Sequence, residues 1–366
     1  MKRPPIRVVD LTGTPFEMGE SHGRTFAEEI RRYADERIDL IATGKWGGHV
    51  LDRSDVLEIA ESTVPFHVEY SPSLFTEMEG LAAGSGLSMA ELVVVGGFTD
   101  FVDTVVAALG AAPPDAVLED DCTAFIVPDQ RASGAGFYGQ TWDMHDTATE
   151  HILLLRINPE DAPRALVFTT VGCLGQIGMN EAGIAIGINN LMGLDGRPGV
   201  TWPSVVREAL RQSTIDEALA AITSAHLSGA HNYLLFDATG RGYNVEAMAT
   251  RHVITELGEA PLVHTNHVVH DENRSVAMPR PDDLQVSSEA RLARASEVLA
   301  DGDITVDILM ELTRDPNAVC QVATDPWHVE SCGAAIMRPR TGDFWAVWGV
   351  PSANEYEHFS VAQERV

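Results

Sequence analysis

The chain has 366 residues, of which 45% are hydrophobic and 22% charged, the composition of a folded globular protein rather than a disordered one. Acidic residues outnumber lysine and arginine by 54 to 25, and the formal charge of -29 repels phosphate backbones and anionic membrane surfaces, which argues against nucleic acid and lipid as partners. No Ser/Gly-rich linker divides the chain, and the start "MKRPPIRVVD" lacks the apolar stretch of a signal peptide, so one large globular unit in the cytoplasm is expected.

The first third reads as helical. "PFEMGESHGRTFAEEIRRYADERIDLIA" carries apolar residues at helical intervals, "SPSLFTEMEGLAAGSGLS" has a Ser-Pro start and glycine stops, and "MAELVVVGGFTDFVDTVVAALG" follows Ser88 as a cap. An acidic, proline-bearing segment, "GAAPPDAVLEDD", then gives way at Cys122 to short strands with Gly/Asn/Asp turns. The strands expected are "CTAFIVPD", "GFYGQTWD", "HILLLRINP", "ALVFTTVG", "GIAIGINNL", "YLLFDATGRGYNVEAM" (a hairpin), "LVHTNHVV" and "AAIMRPRTGDFWAVWG". Helical patterns around "PSVVREALRQSTIDEALAAITSA" and "SSEARLARASEVLADGDITVDILMELT" interrupt them. Runs of strands separated by blocks of helix define an α+β layered fold, and no fixed-period repeat is visible.

Four cysteines, Cys122, Cys173, Cys320 and Cys332, show no CxxC spacing, so neither a zinc cluster nor a disulfide framework is expected. If "CTAFIVPD" and "FYGQTWDMHD" form a hairpin, Asp143 returns to the Cys122 end. Asn189 and Asn190 close "GIAIGINNL" either as turn formers or as amides that stabilise developing negative charge. His264, His267 and His270 flank Asn266 at intervals of three and invite a metal reading, but neighbours three apart in a strand point to opposite faces. Arg291 in "EARLARA" reads by itself as helical surface chemistry. Trp142 and Phe137 read as core aromatics.

Taken in order, "DDCTAF", "GQTWDMHD", "GMNEAGIAIGINNL", "AHNYLLFDATGRGYNVE", "HTNH" and "SSEARLARA" resemble the isopenicillin N acyltransferase family of N-terminal nucleophile cysteine hydrolases, relatives of penicillin V acylase and bile salt hydrolase. The resemblance implies a four-layer αββα sandwich and a precursor that cuts itself before Cys122, giving a helical leader, 1–121, and a catalytic segment, 122–366. Cys122 is then the nucleophile and its freed α-amine the base, Asp143 holds that amine, Asn190 and Asn266 build the oxyanion hole, and Arg291 supports the site by charge. The implied substrate is a small acyl amide or short peptide, with a coenzyme A thioester as another donor, and no cofactor is implied. Hydrolysis and transfer of the acyl group share these residues.

Two features depart from the family pattern. Ala124 stands where the fungal acyltransferase has a hydroxyl residue, and Asp121, preceded by Glu119 and Asp120, stands where it has glycine. Carboxylates there disfavour the thiolate that begins self-cleavage. Two alternatives therefore stand beside the first reading: a metal-dependent hydrolase using His264, His267 and His270, and an unprocessed protein that binds a ligand without catalysis.

Overall fold

A computed structural model describes residues 5–44, 48–110, 121–325 and 328–361. The chain opens with strand β1 (Val8–Gly13), which the helical reading of this region did not include, then helices α1 (Pro15–Thr25), α2 (Ala27–Ala42), α3 (Arg53–Glu61) and α4 (Val64–Tyr70). Helices α5 (Pro72–Ser85), α6 (Met89–Gly96) and α7 (Phe98–Leu109) complete the leader. Capping explains several boundaries. Thr14 with Glu17 and Ser88 with Glu91 form reciprocal capping boxes at α1 and α6, and α5 stops at Gly86 with φ 78°.

The strand-rich part follows as β2 (Asp121–Val127), β3 (Phe137–His145), β4 (Ile152–Pro159), β5 (Ala165–Thr170), β6 (Ile177–Asn180) and β7 (Ile184–Asn190). Helices α8 (Trp202–Ala209) and α9 (Ile215–Thr223) precede β8 (His231–Asp237), β9 (Gly242–Ala247), β10 (His252–Glu256) and β11 (Leu262–His264). Helices α10 (Asp282–Leu299) and α11 (Val306–Thr313) lead to β12 (Val329–Arg338), β13 (Asp343–Trp348) and β14 (Glu357–Ser360).

These strands form two sheets. The eight-stranded sheet runs β1-β4-β5-β6-β7-β8-β9-β10, parallel only between β1 and β4, and the six-stranded sheet runs β11-β2-β3-β12-β13-β14, antiparallel throughout. Strands β2 and β3 face β7 across the sandwich, α8 and α9 cover the other side of β7 and β8, and α10 and α11 cover β2, β3 and β12. The layer order is αββα, as expected. Both faces of the central strands are covered, so β2, β5, β7, β8 and β9 are buried along their whole length instead of alternating.

Close backbone approach at two places depends on glycine. A Cβ on Gly80 would fall 2.1 Å from the Phe16 carbonyl oxygen and one on Gly19 1.9 Å from that of Glu77, so α1 and α5 cross backbone to backbone. A Cβ on Gly187 of β7 would fall 2.2 Å from both Gln140 Oε1 and Tyr138 Oη of β3, which fixes how tightly the sheets meet.

The leader is joined to the sandwich by buried polar groups as well as by the shared apolar core. On α7, Asp100 accepts the Trp202 N–H at 2.6 Å and its other oxygen lies 2.8 Å from His231 Nδ1, while Asp103 accepts the N–H groups of Gly193 and Ala230 at 2.8 and 2.9 Å. Burial pushes the Asp103 carboxyl well above the usual range. Among the described residues no single helix is long and apolar enough to cross a membrane; α5 and α6 pass that test only as a pair bent by 103°.

Removing the Asp100 carboxylate leaves the buried Trp202 N–H without its acceptor and takes away the carboxylate that faces the buried His231 ring. Asp100→Ala is expected to lower stability by about 3–5 kcal/mol, the cost of breaking a buried pair, read from urea unfolding; a change within about 0.5 kcal/mol, as at a surface position, would show that the pair does not fasten the leader.

Candidate active site

The hairpin expected from the sequence is present, with Asp121 opposite Asp143 and Cys122 opposite Trp142 in the β2–β3 register. Asp143 thus lies directly across from the residue before Cys122. The third element is the loop after β11, where Asn266 sits two residues beyond the strand end. The fourth is α10, which brings Arg291 beneath β2.

Arg291 ties these parts together, and it is fully buried instead of lying on a solvated helix face. Its Nη1 donates to the Cys122 carbonyl oxygen at 2.6 Å, to Thr123 Oγ1 at 3.2 Å and to Asn266 Oδ1 at 3.2 Å. Its Nη2 donates to Asp121 Oδ1 at 2.8 Å and to Asn266 Oδ1 at 3.1 Å. A guanidinium has only donors, so these contacts fix which end of the Asn266 amide is oxygen. That oxygen also accepts the backbone N–H of Cys122 at 2.7 Å, and Asn266 Nδ2 donates to the Asn190 carbonyl at 3.2 Å.

Asn190 therefore meets Asn266 through its backbone, and its own Oδ1 is buried with no hydrogen-bond partner among the described residues. Asn189 is likewise buried, with neither side-chain amide atom partnered among them. Glu181 pairs with Arg164, and Asn180 accepts the Ile184 N–H within the β6–β7 turn.

The Asp121 carboxylate, expected to disfavour the thiolate, has two cationic partners. Arg280 Nη2 lies 3.3 Å and Arg291 Nη2 2.8 Å from the same Asp121 oxygen, and all three side chains are buried. Two guanidinium groups offset its field. Glu119 and Asp120 lie outside the described residues.

Arg280 is also the functional-site residue that sequence reasoning missed most completely. Its Nη1 donates to the Asn266 carbonyl at 2.7 Å, so it grips the backbone of the loop after β11 and Asp121 together. Also missed were Ser288, whose Oγ accepts the Asn266 N–H at 3.0 Å, and Ser331, which donates to Asp143 Oδ1 at 2.6 Å.

Glu246 on β9 holds the same loop from the opposite sheet. It accepts the Val269 N–H at 2.8 Å and an Asn273 Nδ2 proton at 3.0 Å, and lies 3.3 Å from His264 Nε2. Burial acts to raise the Glu246 carboxyl, but His264 and these hydrogen bonds bring it below its ordinary value.

The three histidines are thereby dispersed. His264 turns to Glu246, His267 to Ser288 Oγ at 2.8 Å and His270 to Thr255 Oγ1 at 3.2 Å. No group of three potential metal ligands converges among the described residues. Burial pulls the His267 imidazole down to about 4.

All four cysteines are buried, so burial does not single out Cys122. Burial pushes the Cys173 thiol up to about 11 and also raises Cys320 and Cys332, which suppresses their thiolates. Asp143 is pushed up to about 7, by burial first, with the Asp121 charge adding to it and Arg291 and Ser331 opposing. Its Oδ2 has no partner among the described residues. A cleft of about 470 Å³ opens beside the site and is lined by residues including Leu191, His267, Met278, Arg280 and Glu289. A second cleft, of about 510 Å³ between α10 and α11, includes none of the site residues.

A buried cysteine at a strand start, one amide and one guanidinium converging on its backbone, and an αββα scaffold fit an enzyme of acyl-group chemistry. Residues 130–353 match the family described as acyl-coenzyme A:6-aminopenicillanic acid acyl-transferase, and the chain belongs to that family. The matched region holds Asp143, Asn190, Asn266 and Arg291 and begins after Cys122. Over 323 residues the chain is 26% identical to the acyl-coenzyme A:6-aminopenicillanic-acid-acyltransferase 40 kDa form of Emericella nidulans, covering 86% of this chain and 84% of that one. It is 24% identical over 207 residues to an uncharacterized protein of Archaeoglobus fulgidus, covering 53% of this chain and 34% of that protein. Among solved structures it is similar to a conjugated bile acid hydrolase mutant from Clostridium perfringens, with TM-score 0.46, 12% identity, and 65% and 96% of the two chains covered. A penicillin V acylase from Agrobacterium tumefaciens gives TM-score 0.39 at 12% identity, with 65% and 86% covered.

The position of Asp143 sets a pH dependence. Its pKa in the folded uncut chain, about 7, lies above the ordinary 3.8, so between these values the folded state binds more protons than the unfolded one and stability falls as pH rises. In an uncut Cys122→Ala chain this contribution is on the order of 4 kcal/mol between about pH 4 and 7. Adding Asp143→Asn should flatten urea-unfolding free energy over that range; an unchanged slope would place the titration elsewhere.

Proposed function

We propose that this protein is a self-processed cysteine amidohydrolase or acyltransferase whose nucleophile is Cys122, acting on a small acyl amide or short peptide. The observation that carries this reading is the convergence of Asn266 and Arg291 on the backbone N–H and carbonyl of Cys122, residues 144 and 169 positions away in sequence. Sequence-distant polar groups focused on one buried cysteine supply what acyl transfer needs, a fixed nucleophile beside fixed donors. Membership of an acyl-transferase family supports the same class of reaction.

In self-processing, Cys122 Sγ attacks the carbonyl carbon of Asp121. The peptide nitrogen leaves with the thiol proton as the new α-amine of Cys122, and water hydrolyses the thioester to the Asp121 carboxylate and the free thiol. In catalysis the α-amine, with an ordinary pKa of roughly 7.7–8.0, takes the thiol proton, and the thiolate attacks the substrate carbonyl. Asn266 Nδ2, with the Asn190 side chain, stabilises the oxyanion, the amine departs with the proton, and water or a second amine takes the acyl group from sulfur. Asp143 holds the α-amine, and a new ammonium group beside it favours its ionised form.

Intact-mass analysis should find wild-type protein as residues 1–121 and 122–366, still associated, and Cys122→Ala as one chain. Asn266→Ala should cut turnover about a hundredfold to a thousandfold by deleting an oxyanion donor, with the circular-dichroism spectrum kept. Iodoacetamide should abolish activity by labelling Cys122 ahead of Cys173, Cys320 and Cys332, and chelators should leave it unchanged. An uncut chain with thiol-dependent turnover would overturn the self-processing step, and chelator-sensitive turnover restored by zinc would overturn the thiol mechanism.

A further inference from the structure

Strand β12 is irregular where it passes Asp143. Gly333 pairs with Trp142 and Ser331 with Asp143, so Cys332 is an extra residue between two consecutive positions of β3. In an unbroken ladder Ser331 would stand opposite Met144, on the face that Gly333 and Trp142 share. That face looks at the eight-stranded sheet, since a Cβ on Gly333 would fall 2.6 Å from Phe168 Cζ of β5. The bulge turns Ser331 to the other face, opposite Asp143.

Ser331 is fully buried there, and its neighbours set the direction of its hydroxyl. Its Oγ accepts the Gln321 N–H at 2.9 Å, its own N–H donates to the Gln321 carbonyl at 3.0 Å, and its hydroxyl proton goes to Asp143 Oδ1 at 2.6 Å. A bond of this length to an ionised carboxylate is of the strong, charge-assisted kind. It occupies Oδ1 and leaves Oδ2, which is buried and without a partner among the described residues, as the oxygen able to receive another donor.

We infer that Ser331 is a positioning residue for the proposed reaction: by bonding Oδ1 it orients the Asp143 carboxylate, reserves Oδ2 for the α-amine of Cys122, and favours the ionised form that holds this amine. The inference rests on the self-processing and on the role of Asp143 proposed above. Asp143 needs such help because its burial, and then the Asp121 charge on β2, resist its ionisation, while Arg291 of α10, Ser331 and Thr141 oppose them. The other titratable groups facing it are the thiols of Cys320, after α11, and of Cys332 on β12, both raised by burial and so uncharged near neutrality. After the proposed cut the new α-amine joins them on the β2 side, and it titrates together with Asp143 as a pair. A donor to the charged form of a carboxyl lowers its pKa, so loss of the Ser331 hydroxyl raises that of Asp143.

The test compares wild-type protein with Ser331→Ala and Ser331→Thr, cleavage being checked by intact mass. The rate of Cys122 alkylation by iodoacetamide, located by peptide mapping, is followed against pH. A less ionised Asp143 holds the ammonium partner of the thiolate less well, so Ser331→Ala should move the profile up by about one pH unit, slowing alkylation about tenfold on its acid side, while Ser331→Thr stays close to wild type. In parallel, uncut Cys122→Ala chains with and without Ser331→Ala are unfolded in urea. The folded-state pKa of Asp143, about 7 with Ser331 present, should rise, so the fall of stability with increasing pH should extend upward by about one unit. A merely structural serine would slow alkylation alike at every pH and leave that range unchanged. A cut Ser331→Ala protein with an unshifted alkylation profile, or an uncut pair with the same pH range, would overturn the positioning role and leave the proposed function standing. If Ser331→Ala is not cut, the uncut pair alone decides. A wild-type chain that stays whole would instead overturn the self-processing and the inference with it.

Discussion

The site depends on one buried guanidinium that must be supplied with acceptors. Arg291 has no access to water, and a cation in that position is tolerated only when its donors are met. The acceptors it finds are the Asp121 carboxylate, the Cys122 carbonyl, Thr123 Oγ1 and Asn266 Oδ1, which belong to β2 and to the loop after β11. Satisfying Arg291 therefore fixes three parts of the chain relative to one another, and with them the backbone around Cys122. The orientation of the Asn266 amide follows from the same constraint, and so does the direction in which Nδ2 points.

That constraint acts within a frame set by the two sheets. The loop carrying Asn266 leaves β11 of the six-stranded sheet but is held by Glu246 from β9 of the eight-stranded sheet. Its position thus reports the spacing between the sheets, and that spacing is set where Gly187 admits Gln140 and Tyr138 against β7. A side chain at Gly187 would part the sheets and move Asn266 away from Asn190, although Gly187 touches neither. Interiors packed to crystal density transmit such displacements instead of absorbing them.

Much of this architecture was legible in the sequence because local pattern and turn chemistry agree there. The β2–β3 hairpin, the β8–β9 hairpin and the Ser88 cap all follow from residues close together in the chain. Strands β1, β6, β10 and β14 were not read because they are short or half exposed, with polar residues among the apolar ones; β10 alternates exposed and half-buried positions along "HVITE". Arg291 was legible as a candidate by motif order, but its burial was not, since "EARLARA" has an amphipathic surface pattern and the residue that overturns it, Asp121, lies 170 positions away. Arg280 gave no signal at all. It sits in "MPRPDD", which reads as a proline-rich connection, and its importance comes entirely from contacts made across the fold.

The charges also make an acidic residue before the proposed nucleophile compatible with the proposed processing. In the uncut chain Arg280 and Arg291 both meet Asp121, and burial holds Asp143 up to about 7, so near neutrality Asp143 is only partly ionised. A glycine at position 121 would remove one carboxylate and leave the two guanidinium groups with still less to offset them. Asp121 therefore does in this chain what glycine could not, offsetting part of the charge of Arg280 and Arg291. Its backbone need not be unusual to do so, because it lies in β2 in register with Asp143. The proposed cut then places an ammonium group at Cys122, opposite the end of β3 where Asp143 lies buried with an unpartnered oxygen among the described residues. A new cation at that point would give Asp143 a counter-charge, so the proposed cleavage would convert a carboxyl that resists ionisation into one able to hold the proposed catalytic amine.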